Sequence, residues 1–160
     1  PQFMPSSYRA YAVDGNGDGK RDIWADDADV IFSVANYFKR HKWKRGGAVA
    51  IRAQANDQQH KALAKRIAKP SHTLGQLKAK QVKVDTRLDD KVRAALIRLD
   101  QPKGPEYWVG FGNFYTITRY NHSNLYAMAV LQLSQAILDE WEKGSHKAGD
   151  AAGQLGKAKG

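Results

Sequence analysis

The chain has 160 residues, 42% of them hydrophobic and 10% aromatic, with a formal net charge of +10 at pH 7 and no cysteine. This is the composition of one globular domain large enough to hold a core; it excludes a disulfide framework and any thiolate metal site. No stretch approaches the roughly 18 consecutive apolar residues of a membrane-spanning helix, and the surplus of positive charge favours polyanionic partners such as nucleic acid, acidic lipid headgroups or cell-wall murein.

The opening Pro-Gln-Phe-Met has neither an initiator methionine nor a charged-then-apolar leader and runs straight into a patterned segment, so it reads as a piece of a longer polypeptide. Residues 1–13 are turn-rich, then aromatic. After an acidic loop, Val30, Val34, Ala35 and Phe38 recur at helical spacing and predict a helix from about Asp27 to His41. AVAIRA (48–53) reads as a short strand following Gly46-Gly47. Asn56 and Asp57 cap a predicted helix through Leu63 and Ile67, ended by Pro70, and Ser71 caps another through Leu74 and Leu77. VKVDT, AALIRLD and EYWVGF are strand-like, whereas FYTITRY (114–120) is ambiguous. Ser123 caps the longest predicted helix, to about Lys143, with Tyr126, Ala129, Val130, Leu133, Ala136, Ile137 and Trp141 as its apolar stripe. Beyond Gly144 periodicity is lost and a mobile tail is expected. The expected division is 1–47 with the acidic loop and first long helix, 48–112 a small β-containing insertion, 113–143 the last helix of the core, and 144–160 the tail.

The acidic loop, DGNGDGKRDIWADDAD, carries oxygen donors at the spacing of a hard-cation loop. Counting Asp14 as position 1, Asn16 stands at 3, Asp18 at 5, Gly19 at the sharp turn, and Lys20 at 7 offers its carbonyl. Ile23 faces the core and Asp22 stands at 9. Position 12, where a bidentate glutamate belongs, is Ala25, so the closing carboxylate must come from Asp26, Asp27 or Asp29. The alternative is an Asx-rich turn that caps the helix with no ion. A single loop in a chain with two methionines points to a structural ion rather than a sensor.

QFMPSSYRAYAVDGNGDG, SVANYFK and NFYTITRYNHSNLYAMAVLQLSQA together resemble the lytic murein transglycosylase B family, from about Gln2 to Ile137. The resemblance implies an α+β, mainly helical fold: a lysozyme-like core with an EF-hand-like calcium loop and a small inserted antiparallel β-sheet. It implies non-hydrolytic cleavage of the MurNAc-GlcNAc β-1,4 bond to 1,6-anhydromuramyl products. The implied calcium ligands are Asp14, Asn16, Asp18, the carbonyl of Lys20 and, counting back from Ser33, Asp29, with Asp26 and Asp27 as rivals; no organic cofactor is expected. The implied saccharide-binding residues are Gln2, Phe3, Met4, Tyr37, Tyr120, Asn121 and Tyr126. Aromatic rings and amides suit the apolar faces and hydroxyl rims of sugars. On spacing alone, Tyr126 and Tyr37 read equally well as ordinary core.

Glycosidic cleavage needs a carboxylic acid to protonate the leaving oxygen. In the resembling family that glutamate precedes the QFMP motif, so no catalytic residue is assigned within this chain, and these residues alone are expected to be inert on murein. Glu106, Glu140 and Glu142 are poorly placed substitutes. The expected partners are peptidoglycan strands and the N-terminal remainder of the same enzyme, in the periplasm, with any outer-membrane association made through an upstream anchor. A non-catalytic, calcium-stabilised glycan-binding module is the alternative. Nucleic acid is not expected: no nucleotide loop or helix-turn-helix signature accompanies the basic stretches 61–69 and 78–83. His41, His60, His72, His122 and His146 lack ligand spacing and read as surface or structural.

Overall fold

The computed structural model describes the backbone of residues 2–157 and the side chains of residues 2–144. The chain opens with α1 (Pro5–Tyr11), entered through Met4 with proline at its first position, where a missing N–H costs nothing. This segment was expected to be turns; its seven residues bury no side chain, so it carries no periodic signal. The acidic loop leads into α2 (Asp27–Arg40), capped by Asp26, whose carboxylate accepts from the Asp29 amide. Ser33 and Asn36 of α2 fasten the end of α1: Ser33 Oγ accepts from Val13 N, and Asn36 Nδ2 donates to the Tyr11 carbonyl.

Next come β1 (Ala50–Gln54), α3 (Asp57–His60) running into a single 3-10 turn, β2 (His72–Thr73), α4 (Leu74–Ala79), β3 (Lys83–Val84), β4 (Arg93–Leu99) and β5 (Glu106–Gly110). The helix capped by Asn56 therefore stops well before Ile67, and the cap of α4 is Thr73, in a reciprocal capping box with Gln76, rather than Ser71. The five strands form one antiparallel sheet ordered β2-β4-β5-β1-β3. Residues on β4 alternate between two cores. Ala94 and Leu96 pack with Leu74, Leu77, Val82 and Val109; Ala95, Ile97 and Leu99 pack on the other face with Phe114, Ile117, Ala127 and Met128. Arg98 on the same strand donates to Asp57 and Asp100, and the Tyr107 phenol donates to Asp57. The Arg98 guanidinium, followed by that phenol, holds the Asp57 carboxyl below its usual range, while burial and the Asp57 contact push the Tyr107 phenol up to about 12.

FYTITRY resolves as helix α5 (Gly112–Tyr120). Its β-branched residues are accommodated because Thr116 donates to the Gly112 and His41 carbonyls and Thr118 to that of Tyr115. The last helix, α6, runs from Asn124 to Lys157 in backbone, entered through Ser123, whose Oγ accepts from Tyr126 N. The helix therefore continues past Lys143, its expected end, and takes in most of the segment expected to be a mobile tail; the side chains of that segment, His146 included, lie outside those described. The stripe of α6 that is buried is Asn124, Ala127, Met128 and Leu131, whereas Leu133, Ile137 and Trp141 of the expected stripe are exposed. Two apolar stripes of the same period lie on one helix, and the one packed with the sheet is that of Ala127, Met128 and Leu131. His60 proves structural: it is buried, its Nε2 donating to the Lys80 carbonyl and its Nδ1 meeting Asn56.

Candidate functional site

Two features converge on α2, the loop at its start and a ring of aromatic side chains near its end. In the loop, Gly17 and Gly19 adopt φ of 84° and 86°, left-handed turns that fold Asp14 back over its own backbone. The Asp14 carboxylate accepts from the Gly17 and Gly19 amides at 2.6 and 2.8 Å, and those amides hold its pKa below the ordinary value. Asp22 is lowered in the same way by the Trp24 and Ala25 amides. The three rival carboxylates part company. Asp27 is exposed; Asp26 is spent on the helix cap and on Asn16 Nδ2; Asp29 is 1% exposed and reaches back across the loop to accept from Gly15 N and Asp22 N.

The residues expected as ligands, Asp14, Asn16, Asp18, Lys20 through its carbonyl and Asp29, bring only oxygen donors to this loop, the donor chemistry a hard cation requires. Among the described residues no three His, Cys, Asp or Glu side chains converge as a ready-made metal cluster. Each carboxylate oxygen has a second lone pair beyond the one its amide uses, so the donor set fits calcium in kind.

Two turns along α2, about 12 Å from Asp29 by helical rise, Tyr37 stands at the centre of the aromatic ring. Its centroid lies 6.1 Å from Phe3 and 5.3 Å from Tyr120; Phe3 and Tyr120 are 6.2 Å apart, and Tyr120 stacks on Tyr126 at 6.4 Å. Gln2 joins through its backbone N–H, which donates to the Tyr120 phenol. Five of the expected binding residues, distant in sequence, are therefore brought together. Met4, 69% exposed, and Asn121, exposed at the end of α5, flank this group by their chain neighbours rather than by a recorded contact.

Tyr37 itself is nearly buried, and its phenol donates to the Arg119 carbonyl at 2.7 Å, so its polar atom is already committed. Burial pushes this phenol and that of Tyr120 up from their ordinary value. Three members of the ring were not expected as binding residues; one is Phe38, 6.1 Å from Tyr37 and 6.5 Å from Tyr120. Tyr11 meets Tyr37 edge-on at 4.8 Å, and His41 stacks on Tyr37 at 4.0 Å with Nδ1 against the Tyr37 carbonyl. His41 follows Tyr37 by four residues, a same-face spacing that pointed to it; Tyr11 had no such signal because α1 itself was not foreseen.

The sequence profile of the transglycosylase SLT domain matches residues 1–135. The membrane-bound lytic murein transglycosylase B of Escherichia coli K12 is 49% identical over 136 residues, which are 85% of this chain and 36% of that protein. The E. coli lytic transglycosylase Slt35, solved in complex with calcium, superposes with a TM-score of 0.76 at 48% identity, over 86% of this chain and 42% of that one. SltB3 of Pseudomonas aeruginosa, solved with NAG-anhNAM-pentapeptide, gives 0.67 at 34% identity over 81% of this chain and 35% of its own. The chain thus spans less than half the length of each relative, and it shares with them a lysozyme-like helical fold that includes an antiparallel sheet.

Proposed function

The chain belongs to the transglycosylase SLT domain family, and from that premise we propose that it is the glycan-binding portion of a peptidoglycan lytic transglycosylase. The observation that carries this reading is the gathering of Gln2, Phe3, Tyr37, Tyr120 and Tyr126 into one aromatic trough. In this reading Tyr120, Tyr126 and Phe3 take the apolar sugar faces, Gln2, Met4 and Asn121 line the rim, and Tyr37 holds the rings from beneath. Cleavage of the MurNAc-GlcNAc bond needs one acid to protonate the leaving oxygen; the C6 hydroxyl of the muramyl ring then closes on C1 to give the 1,6-anhydro product. An internal nucleophile of this kind outcompetes free water through proximity.

The acid belongs to polypeptide upstream of Gln2. Glu106 pairs with Arg52 on the sheet and Glu140 with Lys143 on exposed α6, neither position being in the trough. A calcium ion held by Asp14, Asn16, Asp18, the Lys20 carbonyl and Asp29 would neutralise the loop and fix the start of α2, and with it the height of Tyr37. Periplasmic residence, with any membrane attachment made upstream, accords with the membrane-bound relative; among the described residues no helix is long and apolar enough to cross a membrane.

The test is muropeptide binding together with murein digestion. The 160-residue chain is expected to bind NAG-anhNAM-peptides, to lose at least tenfold in affinity with Tyr120→Ala or Tyr126→Ala, and to release no anhydromuropeptides. Release by this chain alone would overturn the placement of the acid, and absence of glycan binding would overturn the reading as a whole. The lack of a carboxylate among the ring residues also favours a non-catalytic, calcium-stabilised binding module. That second reading holds if joining an N-terminal portion from a relative never yields cleavage.

A further inference from the structure

One edge of the sheet holds a polar groove that shares no residue with the aromatic trough. Three hollows of about 470, 470 and 370 Å³ run into one another there. The first and second share Gln54 and Lys83, and the second and third share Gln59, His60 and Gln81. β3 ends the sheet order, so among the described residues no strand covers its outer edge. In its pairing with β1, Ala53 and Val84 turn into the core, which turns Gln54 and the opposite Lys83 outward. The walls are tied together: His60, at the end of α3, meets the Lys80 carbonyl just past α4 through Nε2 at 2.6 Å.

The buried His60 imidazole is the sole aromatic ring of this lining, so no platform exists for the apolar face of a sugar or for a nucleobase. Instead the groove collects the amides of Gln54, Gln59 and Gln81 and the ammonium groups of Lys80 and Lys83. Among the described residues none of these five groups has a hydrogen-bond or ion-pair partner. The one carboxylate, Asp85, lines only the first hollow. Gln81 gives a second, independent sign. It adopts φ of 67° in the turn that closes α4, where Gln81 N donates to the Lys78 carbonyl and Val82 N to that of Leu77. Glycine or asparagine fills such a turn without strain. A glutamine there carries the strain, and it is the residue common to the second and third hollows; backbone strain of this kind collects at ligand sites.

We propose that this groove binds the peptide arm of murein, an extended peptide whose amides meet the three glutamines and whose carboxylates meet Lys80 and Lys83. A side-chain amide both donates and accepts, as each peptide unit does, and an ammonium group is the point charge that suits a free carboxylate. The open edge of β3 adds main-chain donors and acceptors to the same ligand. The groove's own chemistry selects an acidic peptide; the choice of murein as its source rests on the reading of the trough as a glycan site.

Calorimetric titration of the 160-residue chain tests this with three probes: the free stem pentapeptide, the same pentapeptide with its carboxylates amidated, and the NAG-anhNAM disaccharide without peptide. The free pentapeptide is expected to bind roughly tenfold more tightly than its amidated form, and less tightly as salt is added. Lys83→Ala and Gln81→Gly should each weaken it roughly fivefold, and Gln81→Gly should do so while raising Tm, because glycine relieves the turn. A saturating amount of the disaccharide should leave pentapeptide binding unchanged. Absence of binding, equal affinity for the amidated peptide, or wild-type affinity in both variants would overturn the proposal. Competition by the disaccharide would overturn it as well, by placing the peptide in the trough. An unrelated acidic pentapeptide of L-residues that binds equally well would overturn the murein assignment in favour of acidic protein segments. The disaccharide titration is read on its own: pentapeptide binding without disaccharide binding keeps the groove and removes the glycan reading of the trough.

Discussion

Replacing Asp29 by alanine, in the presence of a chelator so that no ion contributes, isolates the part this carboxylate plays in the loop. The side chain is 1% exposed and is the acceptor for two amides, Gly15 N and Asp22 N. Each amide left without a partner in a partly buried setting costs about 1–2 kcal/mol, so the expected loss is roughly 2–4 kcal/mol. For a chain of this length that corresponds to a fall in Tm of roughly 4–16 °C. Asp26→Ala removes a helix cap and should cost about 1 kcal/mol, and Asp27→Ala, at an exposed position, less than about 0.5 kcal/mol. Urea unfolding of the three variants gives the order directly, and Asp29→Asn, which keeps one acceptor oxygen, should fall between wild type and Asp29→Ala. Added calcium should widen the gap between wild type and Asp29→Ala, because an ion that binds only the folded loop stabilises it by mass action. An Asp29→Ala protein as stable as Asp27→Ala would refute the assignment of the closing carboxylate.

Lys42 adopts φ of 70°, where an L-residue is strained; Lys42→Gly should therefore stabilise the protein by about 0.5–1 kcal/mol in urea melts, and a loss of stability would contradict the strain. Tyr37→Phe deletes the hydrogen bond to the Arg119 carbonyl and should cost about 1 kcal/mol while leaving muropeptide affinity within twofold; a tenfold weaker affinity at unchanged stability would put the phenol on the glycan. The Asp57 carboxyl, held low by Arg98 and then Tyr107, binds its proton less readily folded than unfolded, so its contribution is complete above about pH 4 and lost as pH falls through the lowered value. The Tm gap between wild type and Asp57→Asn should accordingly be constant from pH 5 to 7 and close on acidification; a gap that opened in acid would reverse the sign of the argument.

The helix at Asp27–Arg40 and strands β4 and β5 were legible because each buries one periodic face or two, and burial is what writes periodicity into sequence. The segment at Pro5–Tyr11 was not, because a seven-residue helix with no fully buried side chain leaves little such trace. In α6 the period was right and the face was wrong: Leu133 and Ile137 are as apolar as Met128 and Leu131, and spacing alone does not say which set meets the sheet. The aromatic ring shows the same limit. Motif resemblance singled out Phe3, Tyr37, Tyr120 and Tyr126, which the fold does assemble, yet passed over Tyr11, whose place depends on the closing of α1 against α2, and Phe38 and His41, which α2 itself carries beside Tyr37.

Strand β4 presents alternate residues to two separate apolar interiors, and this has a consequence for how the molecule opens. Neither interior can be solvated without stripping one side of the same strand, so the two interiors are expected to open as a single cooperative unit. Amides of β4 are then expected to exchange with deuterium only through global opening, at the slow limit of the whole chain. A protease acting on the native protein would find no seam along which to free the sheet intact, and the trough would keep its shape until everything gave way together.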